Sequence, residues 1–294
     1  MKYQHHVPPE QDRRRLPRGL VIDTTWTPLL GYAVGLIATD GCVANTGQQV
    51  TVVSGERQLL EAFKVCIPRA GRIGRHGPNA LHVSVSSVVF CRWLATIGIV
   101  PSKSLTIGEL SVPDAFFFDV ARGLLDGDGG INNFVTNPGG AAKRYPTYRY
   151  ERLNAVFQSA SRTHLAWIRS TMRRLLDVET TILCEPISRP SSRMYTLRYG
   201  KHASLKILAH LYADPNAPCL ERKRRIWAGY LARPPLNSLQ KRRSGGIGSL
   251  DRLKSGWAER PVRVRVPPPV PTSSAIAFAA AAASPSSPDP RPGW

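Results

Sequence analysis

The sequence predicts an α+β protein made of two pseudo-symmetric αββαββα repeats, packed through one helix of each. Three observations predict it. The run AVGLIATDG at 33–41 returns as ARGLLDGDG at 121–129, 88 positions later. The same order of strand-like and helix-like segments follows each run, and the paired strands alternate apolar and polar residues with a period of two.

The elements follow in order. Residues 1–25 are polar and basic, with Arg13, Arg14 and Arg15 in succession, and are expected to form a flexible arm. In the first repeat, 26–112, the helix that closes on AVGLIATDG leads into strands GCVANTG and QQVTVVS and helix GERQLLEAFKVC. Strands GRIGRHG and ALHVSVSS and helix SVVFCRWLATIGI complete it. In the second repeat, 113–232, the counterparts after ARGLLDGDG are strands GGINNFV and RYERLNAVFQS and helix SRTHLAWIRSTMRRLL. Strands TTILCEPIS and RMYTLRYG and helix KHASLKILAHLY follow. The offset between copies grows along the chain, since Ser54 aligns with Ser159 and Trp93 with Ile207. Insertions such as NPGGAAKRYPTY fit loops, where closure entropy rises slowly with length. Residues 233–294 are rich in Pro, Arg, Ser and Ala, and a disordered tail is expected there.

The alternation predicts two half-buried sheets. Val50 and Val52 match Ala155 and Phe157 on an apolar face, as Leu81, Val83 and Val85 match Tyr195, Leu197 and Tyr199. The opposite face carries Gln49, Thr51, His82 and Ser84 in one copy and Arg152, Asn154, Gln158, Thr196 and Arg198 in the other; Arg72 lies nearby in sequence. Arginine suits guanine and an amide suits adenine in the major groove, which admits two strands. The net charge of +20, from 40 Lys and Arg against 20 Asp and Glu, calls for a polyanionic partner, and nucleic acid is the first choice.

Gly31 and Gly35 in the first motif helix, and Gly123 and Gly127 in the second, would let two helix backbones approach closely. Asp40 and Asp128 would then meet at two helix C-termini, with Gly41 and Gly129 in the left-handed position that ends a helix. Carboxylates are unfavourable at the negative end of a helix dipole, so a pair of them there points to a hard divalent cation. A calcium loop starting at Asp126 fails, because Gly130 and Asn137 stand where ligands are required. The five cysteines are scattered without a CxxC pair, which predicts reduced thiols rather than a zinc site. No signal core or membrane span is legible, and AIAFAAAAA at 275–283 is too short to cross a bilayer. A cytoplasmic, nucleoid or organelle-matrix protein that is not secreted is expected.

AVGLIATDG and ARGLLDGDG resemble the two motifs of the LAGLIDADG homing endonucleases in their single-chain, two-repeat form, and the resemblance covers about 26–232. TIGIVPSKS at 96–104 and LYADPNAPCLERKRR at 211–225 add to it. The resemblance implies two curved antiparallel sheets that form a saddle on duplex DNA, in a monomer acting as a pseudo-dimer. It implies a site-specific endonuclease of the intron or intein homing type, dependent on Mg2+ or Mn2+ and hydrolysing one phosphodiester per strand. Its metal ligands would be Asp40 and Asp128, helped by carbonyls at Gly41 and Gly129 or just before them. Lys201 resembles the family's basic residue at the phosphate, and Gln158 its polar group near the metal waters. The alternatives within the same fold are an RNA-binding intron maturase and a catalytically decayed DNA-binding protein. The first motif departs from the pattern, with Ala38 where the second has Asp126.

Overall fold

The computed structural model describes residues 22–136, 150–186 and 193–233. The first repeat consists of α1 (Pro28–Asp40), β1 (Gly41–Val43), β2 (Gln49–Ser54), α2 (Arg57–Cys66), β3 (Gly74–Arg75), β4 (Leu81–Ser86) and α3 (Val88–Thr96). The second repeats that order as α4 (Phe117–Gly127), β5 (Gly130–Thr136), β6 (Tyr150–Ser159), α5 (Arg162–Leu176), β7 (Ile182–Pro186), β8 (Arg193–Arg198) and α6 (Lys201–Leu211). A further helix, α7 (Glu221–Leu231), follows; the sequence reading had no helix there. The arm before residue 22, the NPGGAAKRYPTY segment and the tail from 234 lie outside the described residues. Among the described residues no helix is long and apolar enough to cross a membrane.

Both sheets are antiparallel and share one topology, β1-β2-β4-β3 and β5-β6-β8-β7. The period-two pattern fixes their faces: Val50, Val52, Val83 and Val85 are buried in the first sheet, as are Leu153, Ala155, Phe157 and Leu197 in the second. Their neighbours point the other way, so Gln49, Thr51, His82 and Ser84 share one open face and Arg152, Asn154 and Arg198 the other.

Local chemistry sets the helix ends. Thr27 caps α1, its hydroxyl accepting from Leu30 N at 3.1 Å with Pro28 behind it, and Ser87 and Ser161 cap α3 and α5 in the same way. α1 is buried along its length from Leu30 to Ala38, and α4 from Val120 to Asp126, as befits two helices that form the centre of the molecule.

Those helices cross at their glycines. A Cβ on Gly35 would lie 2.2 Å from Val120 O and 2.8 Å from Gly123 Cα; one on Gly123 would lie 2.3 Å from Tyr32 O and 2.9 Å from Gly35 Cα. Gly31 abuts Asp119, and Gly127 abuts Thr39. In each pair the partners are 88 positions apart, so every one of these residues packs on its own repeat counterpart, which places a pseudo-two-fold axis at Gly35 and Gly123.

The expected left-handed helix ends are absent. Gly41 has φ −87° and ψ 146°, and Gly129 is not among the residues with positive φ. Close approach, not φ, requires glycine at both: a Cβ would meet Ile37 O at 2.5 Å in the first copy and Val156 O at 2.6 Å in the second.

Candidate functional site

Asp40 is the last residue of α1 and Asp128 the first beyond α4, so the helix crossing delivers both carboxylates to one end of the central pair. Asp40 is half-buried and Asp128 exposed. Burial and the nearby Asp128 charge together push the Asp40 carboxyl up to about 7. Burial raises Asp128 as well, against the pull of two lysines. Among the described residues neither carboxylate has a hydrogen-bond donor or a salt-bridge partner within contact distance.

The two lysines are Lys103 and Lys223, 4% and 1% exposed, and the sequence reading missed both. Lys103 Nζ donates to Gly41 O. Lys223 Nζ donates to Leu125 O at 2.6 Å, Gly129 O at 2.8 Å and Asp126 O at 2.9 Å, using all three of its protons. Each ammonium thus closes the C-terminal end of a motif helix, where a positive charge meets the negative end of the dipole. Burial lowers both lysines' proton affinity, while Asp40 helps to raise both and Asp128 does so for Lys103. A signal for them was present: each of the two segments that follow a repeat, TIGIVPSKS and LYADPNAPCLERKRR, carries one of these lysines.

Asp126, the residue that Ala38 replaces in the first copy, is not aimed at solvent. It is 1% exposed, and its Oδ2 accepts from Tyr32 OH at 2.9 Å and Leu220 N at 2.7 Å. It therefore ties α4 to α1 and to the start of α7. Burial holds its carboxyl up to about 6. Nearby, Arg122 spans the same seam, donating to Pro218 O, Leu211 O and Asp119 Oδ1 at 3.0, 3.0 and 2.7 Å.

Hard oxygen donors with no proton donor of their own suit a divalent cation, and Asp40 and Asp128 supply two of them. Among the described residues no group of three or more His, Cys, Asp and Glu side chains could hold a metal, so further ligands would be carbonyls, water or a bound phosphate. The carbonyls of Gly41 and Gly129 do not fit that role, because a buried ammonium already sits on each and would repel a second cation. Thr39 and Gly127, just before the aspartates, are the carbonyls next in line.

Other expected site residues fall as follows. Lys201 opens α6, with Nζ 3.5 Å from Glu151 Oε2 and 5.5 Å over the Tyr230 ring; the cations that act on Asp40 and Asp128 are Lys103 and Lys223. Gln158 lies on the open face of β6, its Nε2 3.5 Å from Thr196 Oγ1. Thr196 is 0% exposed, so it supports Gln158 and has no surface to offer DNA, a correction to its expected role. Asn154 donates one Nδ2 proton to Tyr199 O at 2.7 Å, which leaves its second N–H and its carbonyl oxygen for another partner.

In the first sheet the polar groups are paired across strands, Gln49 with Ser86 at 3.3 Å and Thr51 with Ser84 at 2.8 Å. The His82 ring packs over Gly74, with Nδ1 3.1 Å from Arg75 O. Arg72 is exposed in the loop between α2 and β3, and Arg152 and Arg198 are exposed on the second sheet.

No family model matches the chain, and no curated protein matches it. Solved structures resemble it at low identity. Full-length DUF199/WhiA from Thermatoga maritima matches at 12% identity and a TM-score of 0.44, over 76% of this chain and 67% of that one. Mesophilic variants from the homing endonuclease I-DmoI match at 13% and 0.43, over 64% and 96%. I-DmoI in complex with DNA and Ca matches at 13% and 0.44, over 68% and 97%.

Proposed function

We propose that this chain is a site-specific, divalent-metal-dependent double-strand DNA endonuclease that hydrolyses one phosphodiester in each strand of a long asymmetric target. The observation that carries the proposal is the meeting of Asp40 and Asp128, one from each repeat, at a shared helix end with no proton donor on either carboxylate. The sequence resemblance to the two-repeat homing endonucleases and the charge of +20 support it.

Asp40 and Asp128 would hold the cation, which when bound supplies Lewis-acid polarisation of the phosphodiester and an activated water. Lys103 and Lys223 hold the loops behind the aspartates rigid and offset their mutual repulsion. The two open sheet faces would lie in major grooves on either side, with Arg72, Arg152 and Arg198 able to meet phosphates or guanine and Gln49 and Asn154 to meet base edges. Gln158, on the second open face, is the polar side chain proposed to order water at the reacting phosphate.

A plasmid that carries the gene's own uninterrupted insertion site tests this. Mg2+ or Mn2+ should linearise it, and Asp40→Asn or Asp128→Asn should abolish cutting while the gel-shift affinity for the same DNA is kept. Tight binding to the intron transcript with no cut on DNA would favour an RNA-binding maturase. Binding to DNA with no metal-dependent cut would favour a decayed nuclease.

A further inference from the structure

The open face of the second sheet carries two exposed large apolar side chains among its polar ones. In the β5–β6 ladder Asn132 stands opposite Asn154 and Phe134 opposite Arg152, so these four share one face. On the other side of the ladder Ile131, Leu153 and Ala155 point to the helices and are at most 5% exposed, and only Val135, near the end of β5, is open there at 46%. Phe134, on the polar side, is 48% exposed. Leu183 lies opposite Thr196 on the same face and is 43% exposed. The first sheet has nothing comparable: the exposed large apolar residues of that repeat, Leu29, Val65, Val89 and Leu105, all lie outside its strands.

An exposed phenyl ring between amides and a guanidinium gains nothing from water, and it is not part of the core. The major groove offers it one apolar feature, the 5-methyl group of thymine. We propose that Phe134, with Leu183 further across the sheet, reads thymine methyl groups in the half of the target bound by the second repeat. The inference rests on the DNA-binding reading above and adds to it a base preference confined to one half-site. Spacing sharpens it. Successive residues on one face of a strand are ~6.7 Å apart, and stacked bases are ~3.4 Å apart along a strand. Asn132 and Phe134 would therefore address positions about two base pairs apart, the amide suiting adenine and the ring thymine.

The test starts with the full chain and a pool of randomised duplexes, from which bound sequences are enriched. In the best duplex each thymine is replaced in turn by deoxyuridine, which removes the methyl and nothing else. At one or two positions in the half contacted by the second repeat, affinity should fall about fourfold per methyl, the effect of a buried methylene-sized group. Phe134→Asn should erase the uracil penalty at the position read by Phe134 and leave any penalty set by Leu183, whereas Phe134→Leu should keep most of both. Uracil penalties that all survive Phe134→Asn unchanged, or no penalty anywhere in that half, overturn the inference while leaving DNA binding intact. Failure to enrich any duplex overturns both.

Discussion

Asp40 and Asp128 stand where two helix dipoles end, so each carboxylate is opposed by its own helix and by the protein packed around it, and Asp40 also by the charge of Asp128. The sign of the resulting pH dependence follows. A carboxyl whose folded-state pKa is about 7 against an ordinary 3.8 binds its proton more tightly when folded, so stability falls as pH rises from about 4 to about 7. Asp126, raised to about 6, acts in the same direction. A divalent cation relieves the repulsion only when the carboxylates are ionised. Mg2+ should therefore raise the melting temperature at pH 8 by roughly 5 °C at about 100-fold excess over its dissociation constant, and by clearly less at pH 5.5. Equal shifts at the two pH values, or loss of the pH 8 shift in neither Asp40→Asn nor Asp128→Asn, would remove the cation from this site.

The buried lysines make a second residue-scale prediction. Lys223→Met strips the donor from three carbonyls, and Lys103→Met from one. Unsatisfied buried acceptors cost about 1–3 kcal/mol each, partly offset by no longer burying a charge. Urea midpoints should place Lys223→Met about 3 kcal/mol below the parent protein and Lys103→Met about 1 kcal/mol below. The reverse order would mean that the carbonyl contacts do not set the lysines' contribution.

At the scale of elements, the α1–α4 crossing makes every other feature of the site possible. Its contact is backbone on backbone at Gly35 and Gly123, so no side chain can yield to an added methyl. Gly35→Ala or Gly123→Ala should destabilise by about 3 kcal/mol or more, through overpacking that pries the helices apart. Gly130→Ala, with nothing within 4 Å, should be close to neutral by the same denaturation measurement. Each repeat also clasps the other through the segment that follows its last helix. Ser161, Thr163 and His164 at the start of α5 bond to Ile107 and Gly108, while Glu56 and Gln58 at the start of α2 bond to Arg222 and Glu221 N. These clasps fix the segments that carry Lys103 and Lys223.

For the whole molecule, two copies of one plan carry unequal parts. Asp126 pins α4 to α7, while Ala38 has no such tie; Gln158 has Val53 as its counterpart; and Lys223 holds three carbonyls to the one held by Lys103. Unequal halves should cut at unequal rates. On a supercoiled plasmid bearing the target, nicked circles should accumulate before linear product under limiting Mg2+, and the nick should fall in one defined strand. Linear product that forms with no nicked intermediate would show the halves to be kinetically equivalent.

The sequence by itself determined the duplicated aspartates, the repeat order, the faces of the strands and the basic charge, because these are properties of period and composition within a few neighbouring residues. Val50 and Val52, or Asp40 beside Gly41, could be placed without knowing what they touch. The tertiary structure decided which residues meet across long separations: Tyr32 with Asp126, Lys103 with Gly41, Lys223 with Gly129 and Arg222 with Glu56. It also decided that Gly41 and Gly129 are glycines for want of space rather than for a positive φ, and that Thr196 is covered. Such pairings join positions with no periodic relation in the chain, and only the packing of α1 on α4, at van der Waals contact, selects them.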